Sequence, residues 1–112
     1  MTGIGGMKIA VAPGGIAWIT DNKNDIYKRE NGEWVLMPGK ARDLAINSNK
    51  NLSKTTIYAL GLSKVGGGYE ILKYHFSTGS WHSRTLSAIN IAVAPNGDLW
   101  YVTADYRVFR KS

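Results

Sequence analysis

Apolar and polar residues alternate in short runs along the chain, and the runs recur in a fixed order. Ile9-Ala10-Val11-Ala12 is followed by Pro13-Gly14-Gly15 and a second run closing on Trp18; the order returns as Ile91 to Ala94, Pro95-Asn96-Gly97 and Leu99-Trp100. Each matched residue is displaced by 91 − 9 = 82 positions. Two period-two runs around a turn rich in Pro and Gly predict a β-hairpin. A third copy lies between the other two, as Leu44-Ala45-Ile46-Asn47 and Ile57-Tyr58-Ala59-Leu60, with Tyr58 in the place of the tryptophans. Three copies give a mean period of about 41 residues, which belongs to arrays of small antiparallel sheets.

Each hairpin is followed by a third apolar-polar run: Ile26-Tyr27-Lys28-Arg29, Ile71-Leu72-Lys73-Tyr74 and Val108-Phe109-Arg110-Lys111. A turn comes next, at Asn31-Gly32 and Thr78-Gly79, and then a fourth run opening on tryptophan, Trp34 to Met37 and Trp81 to Arg84. A complete unit is therefore a four-stranded antiparallel meander of about 40 residues, the composition of a propeller blade. The expected fold is all-β: a single domain over 1–112 holding about three four-stranded blades, at roughly 7–42, 43–89 and 90–112, the last incomplete. No helical period of apolar residues runs for three turns. In the first strand Ile9 and Val11 point one way and Ala10 and Ala12 the other, so both faces are apolar. Such a strand is expected to lie between neighbouring sheets, large residues on one side and alanines on the other. The middle copy differs most, with Asn47 to Thr56 in place of the short turn and a longer, Gly-rich loop expected over Leu62 to Tyr69.

These residues resemble the tectonin-type β-propeller repeat, whose units read Ile-Ala-Val-x-Pro-x-Gly-x-x-Trp, then Ile-Tyr-Arg, then Gly-x-Trp and a Pro-Gly. Here the elements stand as Ile9 to Trp18, Ile26 to Lys28, Gly32 to Trp34 and Pro38-Gly39, and the resemblance covers nearly the whole chain. It implies a propeller and, in function, a lectin for sugars or lipopolysaccharide or a scaffold without a sugar. Propellers close at four to eight blades. Three blades leave two apolar faces bare, so two chains head to tail are expected to form a six-bladed ring, a homodimer.

Composition narrows the chemistry. The 112 residues contain no cysteine, which excludes disulfides and thiolate metal sites. There is no basic, apolar signal-like start and no apolar run of membrane-spanning length, so a soluble protein is expected, cytoplasmic or secreted without a signal peptide. A net charge of +6 permits attraction to polyanions, but the basic residues are scattered, so no nucleic-acid partner is expected, and membranes only through glycan or anionic headgroups. His75 and His82 have no partnered carboxylate or nucleophile in sequence reach, Asp21 to Asp25 lacks the glycine and glutamate of a calcium loop, and Gly66-Gly67-Gly68 lacks the lysine of a phosphate loop. No catalytic residue, metal or cofactor is expected. Sugar binding needs flat aromatic faces for C–H patches and fixed polar partners for hydroxyls. Antiparallel parity places the loops after second and fourth strands on one rim, and that rim is rich in polar groups. The candidate ligand-binding set is accordingly Trp18, Asp21, Asn22, Arg42, Tyr58, Trp100 and Asp105. The expected function is non-enzymatic, multivalent glycan binding between blades, with a protein-binding or anionic-membrane scaffold as the alternative.

Overall fold

A computed structural model describes residues 6–12, 15–47 and 55–111. Eleven strands are described: β1 (Gly6–Val11), β2 (Ala17–Asp21), β3 (Asp25–Glu30), β4 (Glu33–Lys40), β5 (Asp43–Ile46), β6 (Ile57–Val65), β7 (Gly68–His75), β8 (Ser80–Ala88), β9 (Asn90–Val93), β10 (Leu99–Val102) and β11 (Val108–Lys111). They form three antiparallel sheets in the orders β1-β2-β3-β4, β5-β6-β7-β8 and β9-β10-β11. No helix occurs among the described residues, so none is long and apolar enough to cross a membrane. The Pro13-Gly14 corner and residues 48–54 of the expected long turn lie outside the described residues.

The repeat is carried into the register. Ala10 pairs with Trp18, Ala45 with Tyr58 and Ala92 with Trp100. The mouth of each first hairpin closes with an equivalent bond, from the amide of Ala12 to the Ile16 carbonyl, Asn47 to Thr56 and Ala94 to Asp98, at 2.8, 3.1 and 2.9 Å. Between the first two sheets, Trp18 and Ile26 of one pack on Leu44, Ile57, Ala59 and Tyr74 of the other. The opposite face of the second sheet, Ala45, Tyr58, Leu60 and Ile71, packs on Ile91 and Leu99 of the third. Each fully buried isoleucine or leucine here contributes about 1.5–3 kcal/mol relative to exposure. The inner edges meet as well, since β5 lies against both β1 and β9.

Two expectations are corrected. Burial of the first strands on both faces holds only for β5, because only the middle sheet has a neighbour on each side. In β1, Ile9 and Val11 are 68% and 55% exposed. In β9, Ile91 is buried while Ala92 on the other face is exposed. The second correction concerns Leu62 to Tyr69, which is not a loop: β6 runs to Val65 and β7 starts at Gly68. The hairpin between them needs only Gly66 and Gly67, both with positive φ (60° and 88°), the type I′ geometry that matches strand twist.

One contact ties the outer strands together across sheets. The indole Nε1–H of Trp81 in β8 donates to the carbonyl of Pro38 in β4 at 2.8 Å. The ring lies so close over Gly39 that a Cβ there would meet Trp81 Cδ1 at 2.9 Å. Gly39 and Gly32 both have positive φ (81° and 79°), but a Cβ on Gly32 would meet nothing within 4 Å. Replacing either by alanine costs about 1 kcal/mol for the left-handed conformation, and Gly39→Ala is expected to cost clearly more than Gly32→Ala because it also displaces Trp81. Urea unfolding of the two variants measures the difference; equal losses would show that the Trp81 contact contributes nothing.

Candidate functional site

The most regular chemical feature is a cross-strand triplet present once in each sheet. The aromatic residue of the second strand stands between an alanine of the first and a cation of the third. Trp18 pairs with Ala10 and Lys28, Tyr58 with Ala45 and Lys73, and Trp100 with Ala92 and Arg110. The alanine leaves room above its own strand, and the long basic side chain reaches over the ring. Lys28 Nζ lies 5.8 Å from the Trp18 ring centre, Lys73 Nζ 5.9 Å from Tyr58, and Arg110 Cζ 5.8 Å from Trp100. At these distances each contact is worth about 0.5–1 kcal/mol. Sequence reasoning missed the three cations, although each follows at the same register position in its own copy.

The three aromatics differ in accessibility. Trp18 and Tyr58 are 1% and 3% exposed, whereas Trp100 is 41% exposed on the open face of the third sheet. Trp18 meets Tyr74 edge to face at 5.6 Å, so its ring is committed mainly to the junction between sheets. Beside it a cleft of about 130 Å³ opens, lined by Ala12, Ile16, Trp18, Ile57 and Phe76, with Lys28 and Thr55 as its polar groups. The Thr55 Oγ1 atom is buried and has no hydrogen-bond partner among the described residues. A buried hydroxyl without a partner costs about 1–3 kcal/mol. A second cleft of about 160 Å³ lies at the third sheet, around Trp100, Ala92, Val102 and Val108.

The remaining candidates lie on the other rim. The Trp18 cleft is bounded by residues flanking the β1–β2, β5–β6 and β7–β8 connections, whereas Asp21, Asn22, Arg42 and Asp105 lie at the β2–β3, β4–β5 and β10–β11 connections. Asp21 is buried and accepts from the amides of Lys23 and Asp25, both at 2.9 Å, which closes its own turn. Next to it Lys40 is ion-paired to Asp25 at 2.8 Å, and that hydrogen bond holds the ammonium pKa above its usual value. Asn22 is exposed at the turn. The Arg42 guanidinium stacks 4.2 Å over Tyr69. Asp105 is engaged by Thr103 Oγ1 and, at 3.2 Å, by Arg107. Beside it Tyr106 is exposed with φ 65°, an unusual conformation for a bulky residue that the sequence did not signal. The seven expected residues thus do not converge on one pocket. Among the described residues no group of three or more His, Cys, Asp or Glu side chains is placed to hold a metal ion.

No family model matches the chain, and no curated protein matches it in sequence.

The burial contrast separates packing from ligand contact. Trp18→Ala is expected to lose about 3–5 kcal/mol, as for large aromatic deletions in cores. Trp100→Ala is expected to lose no more than about 1 kcal/mol in dilute protein, because two fifths of that residue already faces solvent. Denaturant midpoints at low protein concentration check the order, and equal losses would refute it.

Proposed function

We propose that the chain is a non-enzymatic carbohydrate-binding subunit of β-propeller type, related to tectonin-like lectins, that holds glycans weakly at repeated clefts between its sheets. The observation that supports this most directly is the Trp18 cleft, where Lys28 and Thr55 line an otherwise apolar hollow with Trp18, Ile57 and Phe76. A sugar presents the matching chemistry, a C–H patch beside hydroxyls that both donate and accept. The cleft is smaller than the usual 300–1,000 Å³ ligand pocket, so it takes an edge or pendant group of a sugar and binds feebly alone. Repetition on a glycan-coated surface then raises apparent affinity by about 10²–10⁴.

The same reading includes closure by a second copy. Ile9, Val11 and Leu36 share one outer face of the stack, and by repeat position Ile9 and Val11 correspond to Leu44 and Ile46 of the second sheet and Ile91 and Val93 of the third, which pack between sheets. Trp100 and Val108 share the other outer face, and Trp100 corresponds to the buried Trp18 and Tyr58. Each outer face is therefore the counterpart of the surface that its opposite packs on inside the chain. Two chains joined twice in this way give a six-bladed ring with a further cleft at each junction.

Two measurements test the proposal. Light scattering at micromolar concentration is expected to give twice 12.3 kDa, or 24.6 kDa, and the 12.3 kDa monomer in Val108→Asp; a wild-type monomer removes the ring. Retention on multivalent glycan is expected to exceed binding of free monosaccharide and to fall in Thr55→Val and Lys28→Met. Retention that ignores both substitutions and vanishes between about 50 and 200 mM salt assigns the surface to anionic membranes instead.

A further inference from the structure

The face of the second sheet that looks toward the third changes character from its inner to its outer strands. Inside are the buried Ala45, Tyr58, Leu60 and Ile71; further out, on the same face, come Lys73 and His75 of β7 and His82 and Arg84 of β8. Lys73 pairs directly with His82, and His75 with Ser80. The third sheet packs through β9 on the inner strands β5 and β6, and Lys73, His75, His82 and Arg84 are half-buried or exposed beyond that junction.

Three observations single out this cluster. The first is charge: neither Lys73 nor Arg84 has a carboxylate within ion-pair distance among the described residues, and the two imidazoles stack with ring centres 4.0 Å apart. Asp98, across the groove, is engaged by Arg110 at 3.9 Å and by Asn96. The second is desolvation, because Arg84 Nε is buried with no hydrogen-bond partner among the described residues. A guanidinium desolvated in this way is costly to hold without a counter-charge, and an anion at its remaining N–H groups lowers that cost. The third is the backbone. Arg84, Thr85 and Leu86 bulge out of β8 opposite Ile71 alone, and Thr85 has φ 58°, an outlier for a β-branched residue. Bulges of this kind re-aim side chains, here that of Arg84.

We propose that Lys73, His75, His82 and Arg84 form a binding site for a divalent tetrahedral oxyanion, sulfate or phosphate. Two fixed cations supply the permanent attraction, Arg84 a directional donor, the His82 ring an N–H donor and His75 a further one once protonated. Ser80 Oγ, 3.1 Å from His82 Nε2 and 2.8 Å from Thr78 Oγ1, holds that ring in place. In the free protein burial, His82, Lys73 and Arg84 together hold the His75 pKa below its usual value. Burial also raises the Tyr58 pKa, with Arg84 opposing and Asp98 adding, so the phenol stays neutral. An oxyanion among these groups opposes the Lys73 and Arg84 charges and draws a proton onto His75. Affinity for sulfate, which stays divalent across this range, therefore rises as pH falls, by no more than about tenfold per pH unit for each proton taken up.

The free ion and an ester on a sugar present the same chemistry, and the test separates them. The His75 ring-proton resonance is titrated in sodium sulfate and in sodium chloride of equal ionic strength, for the wild type and for Lys73→Gln and Arg84→Gln. The midpoint is expected to rise in sulfate for the wild type and to rise less, or not at all, in both variants, with melting temperatures confirming that they fold. Equal midpoints in the two salts, or an undiminished rise in the variants, overturns the site. Glucose 6-sulfate and glucose 6-phosphate against glucose then identify the carrier. Binding of sulfate without either ester keeps the anion site and counts against the carbohydrate reading.

Discussion

The structure depends on the pairing of a small residue with a large one across the first two strands of each sheet. Ala10 and Ala45 leave room beside Trp18 and Tyr58 for the neighbouring sheet to advance, and Ala92 beside Trp100 repeats the pairing on the open face of the third sheet. Because interiors are close-packed, an alternation of small and large positions lets sheets interdigitate without voids. Ile57, Ala59 and Leu44 meet Trp18 in this way, and Ile91 and Leu99 meet Tyr58. The outer strands add one directional bond, from Trp81 to Pro38, which fixes how the first two sheets are set against each other.

Function, on the reading offered above, comes from what this packing leaves over. A pleated sheet has two faces, and a stack of three covers four of the six. The two outer faces keep their apolar residues in water, with Ile9 and Val11 at one end and Trp100 and Val108 at the other. Between sheets, the interlocking relaxes toward the rims, where Lys28 and Thr55 stand beside apolar walls. Further out on the second sheet no apolar partner arrives, and the residues become Lys73, His75, His82 and Arg84. Apolar junction, mixed cleft and basic edge are thus successive zones of the same strands.

Polar residues on the opposite rim illustrate a different demand. Asp21 holds two amides of its own turn, Asp25 holds Lys40, and Asp105 holds Thr103 and Arg107. Tight turns between antiparallel strands strand backbone amides, and short acidic side chains satisfy them locally. A carboxylate used this way has little left for a ligand. Residue type and loop position alone do not distinguish the two uses, so the polar-rich rim carries the stronger sequence signal while the Trp18 cleft opens on the other side.

The sequence by itself determined the period-two strands and their grouping into four, four and three. These follow from period-two patterning, turn residues and a repeat of 82 positions, all local or self-repeating signals. Only the tertiary structure decided which equivalent positions are covered. Trp18 and Trp100 sit in similar decapeptides, yet one is buried and the other is not, because the middle sheet packs on the first and nothing among the described residues packs on the outer face of the third. The same holds for Leu62 to Tyr69, where two glycines of positive φ turned an apparent loop into paired strand, and for Arg84, placed by a bulge. Burial and bulging are properties of neighbours in space, and a sequence pattern records the capacity for them without recording which neighbour is present.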